Sequence, residues 1–177
     1  MPNIHRSRAL CALAAVAALV AFMSGCGSDK KKSSDTTAAP APATTTTPSS
    51  SGSGDVAAYK AGAAKAANAF KNSAQAASAE VQAGKDTAGK VKGLESLKAS
   101  VNQAADDFSK LSPPANVKAD NDELVKEFRS LAGNVDAVEQ ALKSNDSAAA
   151  QAALPRLAQD QSKIGQTISS IQTKIGQ

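Results

Sequence analysis

Residues 117–143 read VKADNDELVKEFRSLAGNVDAVEQALK, and within them Leu124, Phe128, Leu131, Val135, Val138 and Leu142 recur in alternating steps of four and three. That spacing returns a side chain to one face of an α-helix at every turn; a strand, with its period of two, scatters the same residues over both faces. Val117 leads into the run, and the polar turn Ser144-Asn145-Asp146 closes it. Asp120, Asp122 and Glu123 fall in its first turns, where the helix dipole favours negative charge.

The same count extends in both directions. Upstream, Val91, Leu94, Leu97, Val101, Ala104, Phe108 and Leu111 mark a second helix, which Ser112 and Pro113 should close because the residue before a proline avoids the α region. Before it, Val56, Tyr59, Ala63, Ala66, Phe70, Ala74, Ala77 and Val81 mark a first, ended by Gly84. Downstream, Ala150, Leu154, Leu157, Ile164, Ile168, Ile171 and Ile175 mark a fourth. Asp55 and Asp86 stand where N-caps of the first and second helices are needed. No stretch alternates with period two over a useful length. The expected fold is therefore all-α: a four-helix domain over 55–177, antiparallel and up-down-up-down because the connections are short.

Two features strain that picture. Pro155 lies inside the fourth helix, where it removes a hydrogen bond and costs about 3 kcal/mol, so a kink or a split after a short helix 147–153 is expected. The first helix carries 13 alanines in residues 55–83, so its packing is expected to be shallow though close, and the helix to fray or to dock as a loose fourth partner on a three-helix core.

Residues 27–54, GSDKKKSSDTTAAPAPATTTTPSSSGSG, hold no large hydrophobe, and 23 of the 28 are Gly, Ser, Thr, Pro or Ala. A segment that buries so little cannot offset its conformational entropy, so 26–54 reads as a disordered tether. As a flexible coil it would span roughly 30 Å. Lys30, Lys31 and Lys32 are placed to meet anionic headgroups or to serve as a solvated charge run, and the Thr/Pro runs are compatible with O-glycosylation.

Ahead of the tether, Arg6 and Arg8 precede 15 consecutive apolar residues, Ala9 to Met23. A spanning helix needs about 20, so a charged start with a short apolar centre reads as a secretory signal, removed with residues 1–25. Removal takes the only histidine, His5, and one of two cysteines, Cys11, leaving a lone cysteine, Cys26, with no internal disulfide partner.

Met23-Ser24-Gly25-Cys26 resembles the lipobox of bacterial lipoproteins. The resemblance implies cleavage between Gly25 and Cys26, a diacylglycerol thioether on Cys26 and often a fatty acyl group, such as palmitate, on the new amine. Two or more chains hold a protein stably to a membrane where one holds it only marginally. Signal, lipobox, tether and Ala-rich helical domain together are similar to small secreted lipoproteins of actinobacteria. Leu111-Ser112-Pro113-Pro114-Ala115-Asn116-Val117 is similar to an L-x-P-P-x-x-V turn found between helices in many of them. The expectation is a protein anchored on the extracytoplasmic face of the cell membrane.

The remaining chemistry is sparse. Zinc and iron sites in helical bundles need imidazole or thiolate, and the domain has neither. Asp106, Asp107, Asp120, Asp122 and Glu123 lie near one end of the bundle, but no calcium loop with a glutamate at its twelfth position surrounds them, so solvated carboxylates are the reading preferred. No P-loop, G-x-G-x-x-G or domain G-x-S-x-G is present. The domain's 15 basic and 14 acidic residues are interspersed, which gives no footprint for nucleic acid. Catalytic, metal and cofactor residues are therefore expected to be none.

One internal layer stands out. If turns are short, residue numbers facing each other across helices three and four sum to about 289, and across two and three to about 228. Phe128 then shares a layer with Phe70, Val101 and Gln161, the last a polar group where the pattern calls for an apolar one. Two readings follow: a buried glutamine that fixes register, or a polar handle for one small amphipathic ligand. The first expected function is a non-enzymatic envelope module that contacts a protein or wall component; the alternative is a small-ligand carrier.

Overall fold

The computed structural model describes residues 55–176, and the expected signal peptide (1–25), Cys26 and the tether (26–54) lie outside them. Four helices follow in order: α1 (Val56–Ala83), α2 (Thr87–Ser109), α3 (Lys118–Lys143) and α4 (Ser147–Gly176). Among the described residues there is no strand, and no helix is long and apolar enough to cross a membrane. The fold is an all-α helical bundle in which each helix packs along its length against its sequence neighbour. α4 packs in this way only against α3; its approaches to α1 and α2 are sparse.

Helix boundaries follow local chemistry. Asp55 Oδ1 accepts from the backbone N–H of Ala57 at 2.8 Å, and Asp86 Oδ1 from that of Gly89 at 2.8 Å, so both expected N-caps are made. α2 stops at Ser109, short of the position that Pro113 alone would impose. Beyond it the Leu111–Val117 segment plugs one end of the bundle. Leu111 packs over Gly62 of α1, Pro114 and Val117 are buried, and the Val117 N–H donates to the Pro114 carbonyl at 3.0 Å.

The α3–α4 turn closes with Asn145 at φ 55°, in the left-handed region that a short polar side chain tolerates. The Asp146 N–H reaches back to the Ala141 carbonyl at 2.8 Å and the Asn145 N–H to that of Leu142 at 3.2 Å, the paired bonds of a Schellman ending. Asp146 Oδ1 then caps α4 through the Ala149 N–H at 2.9 Å.

Two expectations are narrowed or corrected. α4 is a single helix from Ser147 to Gly176 with Pro155 inside it, so of the two alternatives at the proline the split after residue 153 does not occur. Pro155 and Gln151 both face solvent, where water can satisfy the carbonyl that lost its donor. Nor is α1 loosely docked. It packs along α2 and buries Tyr59, Ala66, Phe70, Ala74, Ala77, Ser78 and Val81, and its small residues let α2 come very close, as expected. A Cβ at Gly93 would meet the backbone of Val81, with the Val81 Cα 2.8 Å away.

This contact generates a paired test. Gly93→Ala should lower stability by about 1–3 kcal/mol through overpacking, despite alanine's better helix propensity. Gly133→Ala, on the exposed side of α3 with nothing within 4 Å of the added methyl, should raise it by about 0.5–1 kcal/mol. Urea unfolding of the two variants checks the opposed signs.

Candidate functional site

The layer singled out in the sequence is assembled in part. The Phe70 ring meets Phe128 edge-on at 5.2 Å and 72°, and Val101 is fully buried. Phe108 joins them, stacked on Phe128 at 5.7 Å and 18°. Side chains lean toward the N-terminus of their own helix, so on antiparallel α2 and α3 two rings set apart in level tilt toward each other and meet. Counting backbone levels alone misses Phe108 for that reason. The middle of the bundle is occupied by three aromatic rings in contact.

Gln161 does not enter this layer. It stands half-buried, and the seam position belongs to its neighbour Asp160, 5% exposed. Asp160 completes the buried stripe of α4 with Ala153, Leu157, Ile164 and Ile171. Its carboxylate accepts from Asn134 Nδ2 at 2.6 Å and from Ser130 Oγ at 3.2 and 3.3 Å. A charged residue on an apolar stripe carries no hydropathy signal. The step of three from Leu157, with two short polar side chains opposite on α3, is the signal that could have located it.

Asp160 is one of several buried polar residues. Asn121, 2% exposed, accepts from Tyr59 OH at 3.0 Å and donates to the Phe108 carbonyl at 3.2 Å, tying α1, the end of α2 and the start of α3 together. Burial, with Asp120 adding to it, pushes the Tyr59 hydroxyl up to about 12, so it stays a neutral donor.

Glu139, also 2% exposed, lies in a cationic clamp. Lys98 Nζ reaches it from α2 at 2.6 Å and reaches Asp136 at 2.7 Å; Lys143 binds it from one turn along α3 and bridges to Glu95 at 3.1 Å. Burial alone would raise the Glu139 carboxyl, but its hydrogen bonds to Lys143 and Lys98 outweigh that and hold it below the usual range. Lys98 is raised in turn, chiefly by its hydrogen bonds to Asp136 and Glu139.

Glu127 is the exception. It is 8% exposed, Thr167 Oγ1 donates to its Oε1 at 3.1 Å, and its Oε2 is buried without a hydrogen-bond partner. Ser78 Oγ on α1 is also buried and unpartnered. Burial pushes the Glu127 carboxyl above its ordinary range.

The acidic residues near the bundle end are dispersed. Asp106 is exposed, Asp107 faces Gln103 and Lys110, Asp120 pairs with Lys174 at 2.7 Å, Asp122 with Lys118 at 2.8 Å and Glu123 with Lys126 at 3.1 Å. Among the described residues no three His, Cys, Asp or Glu side chains come together as a metal site. No family model, curated protein or solved structure matches this chain.

The clamp predicts non-additive energetics. Lys98→Met leaves the buried Glu139 carboxylate with half its compensation and should destabilise more than the double variant Lys98→Met/Glu139→Leu, which removes charge and partner together. Urea midpoints of the single and double variants decide the order.

Proposed function

We propose that this chain is a lipid-anchored protein of the extracytoplasmic face of a bacterial cell membrane, and that its helical domain is a non-enzymatic interaction module for an envelope protein or wall component. The observation that carries the reading is Met23-Ser24-Gly25-Cys26 at the end of a 15-residue apolar run that follows Arg6 and Arg8. A cysteine with no internal disulfide partner is accounted for when its sulfur holds a lipid. The Ser/Thr/Pro tether supports the reading, since it would hold the domain clear of the headgroups.

The domain's own chemistry supports the non-enzymatic half. Its buried carboxylates hold helices together, and its buried tyrosine hydroxyl donates to Asn121 in the core. The carrier alternative is less well supported, because the layer proposed for a ligand holds the rings of Phe70 and Phe108 against Phe128 and Gln161 stands outside it.

Expression of Cys26→Ser in a lipoprotein-processing host tests the anchor. The wild-type chain should partition with membranes and carry the mass of a lipid on a chain starting at Cys26. The variant should appear in the aqueous fraction. A variant that remains membrane-bound would refute the assignment.

A further inference from the structure

The α3–α4 seam differs from the α2–α3 seam in how it treats buried acid. Across α2–α3, Glu139 meets two lysines. Across α3–α4, Glu127 and Asp160 are buried together on one interface, and each takes its hydrogen bonds from neutral donors: Thr167 for Glu127, Ser130 and Asn134 for Asp160. The charged groups that act on Glu127 are Glu123 on its own helix and Asp160 and Lys163 on α4, two acids against one base, and none of them comes from α2, which packs along α3 as well. The unpartnered Oε2 leaves the site poorer still in compensation. α4 is an end helix of the bundle and packs along its length on α3 alone, as α1 does on α2.

We propose that α4 is a proton-controlled latch, which seats firmly on α3 while Glu127 is neutral and loosens when Glu127 ionises.

The sign follows from burial. A neutral carboxyl enters an apolar seam at modest cost, whereas an ionised one among Asp160 and Glu123 must be solvated, and outward movement of α4 admits the water that does so. Glu127 is raised in the folded state, first by burial and then, against the Thr167 hydrogen bond and Lys163, by Glu123 and Asp160. Its contribution to stability is therefore fully present below the ordinary glutamate value, about 4.3, and is lost as pH rises through the folded value above it. Glu139 responds in the opposite sense: its contribution is lost only as pH falls through a value below the ordinary one. Between those limits the latch is the element that moves. Loosening would uncover the apolar stripe Leu157, Ile164 and Ile171. The latch stands on the domain's geometry and does not depend on where the chain resides.

Hydrogen exchange on the full chain tests it. Protection factors, which divide out the chemical pH dependence of exchange, are measured for α4 and α2 amides at several pH values from about 4.5 to about 8, a window starting just above the unperturbed glutamate value. In the wild type, α4 protection relative to α2 should fall several-fold across the window. In Glu127→Gln and in Glu127→Met, neither of which can ionise, the slope should vanish and α4 protection at the alkaline end should exceed the wild type's. A wild-type α4 that tracks α2 at every pH, or either variant retaining the wild-type slope, would overturn the latch.

Discussion

The Phe128 ring is the contact through which this fold is organised. It is fully buried, it comes from α3, and it meets Phe70 of α1 and Phe108 of α2 at once. With an aromatic content of only 3%, the chain has few side chains that can reach so far across a core. Aromatic pairs add to their area burial when they meet edge-on or offset, and one ring here makes two such pairs. The alanine-rich α1 depends on it most. Its methyl groups give close approach but little area, so Phe70 and Tyr59 are the two large anchors that join it to α3, one at the ring cluster and one at Asn121. α4 contributes no aromatic residue to the cluster, which places it outside the part of the molecule that the rings hold together.

Buried polar groups divide the molecule in the same way. Asn121 spends its carbonyl on Tyr59 and its amide on the Phe108 carbonyl, and Glu139 meets two lysines; these fix the register of α1, α2 and α3. Such networks specify one arrangement when every member is satisfied and weaken it when one is not. The α3–α4 seam falls in the second class, with an orphaned Glu127 oxygen and an Asp160 held by neutral donors alone. The α3–α4 seam thus combines satisfied contacts, at Asp160 and at the Asp120–Lys174 pair, with one carboxyl oxygen of Glu127 that has no partner.

Much of the fold was legible because steps of three and four survive wherever the core is apolar. The four helices, the caps Asp55 and Asp86, the Ser144-Asn145-Asp146 turn and the burial of Phe70, Val101 and Phe128 all follow from local rules. Register across α3 and α4 was legible too: Ser130 faces Asp160 and Asp120 faces Ser170, close to the offset that a short turn dictates. What escaped depends on tertiary partners. The count of residues between facing helices puts Gln161 on the seam, while the packed helices bury Asp160, whose carboxylate finds Ser130 and Asn134 opposite. The Lys98 clamp on Glu139 joins residues 41 positions apart and leaves no mark in either helix's own pattern. The close packing of α1 was legible in its alanines, but the point of closest approach, Gly93 against Val81, is a property of two surfaces and of neither sequence alone.

The proline in α4 shows why its helicity and its docking are separate matters. Pro155 would break a helix whose freed carbonyl faced a core, but Gln151 faces water, so the loss stays local and affordable. The start of α4 is reinforced independently by the Asp146 cap and the Schellman ending of α3 before it. These devices belong to the turn and to α4 itself, and none of them involves the α3–α4 seam. Asp120, pairing with Lys174 and accepting from Ser170, adds a tie at the far end, but both cationic and acidic partners there keep some exposure to solvent, where an ion pair is worth little. What remains to decide whether α4 lies against α3 is the apolar stripe Leu157, Ile164 and Ile171 with the Asp160 hydrogen bonds, opposed by the burial of Glu127 between the same two helices. Apolar area buried is indifferent to protons, so the pH dependence of the balance between seating and release turns on Glu127 and not on the stripe.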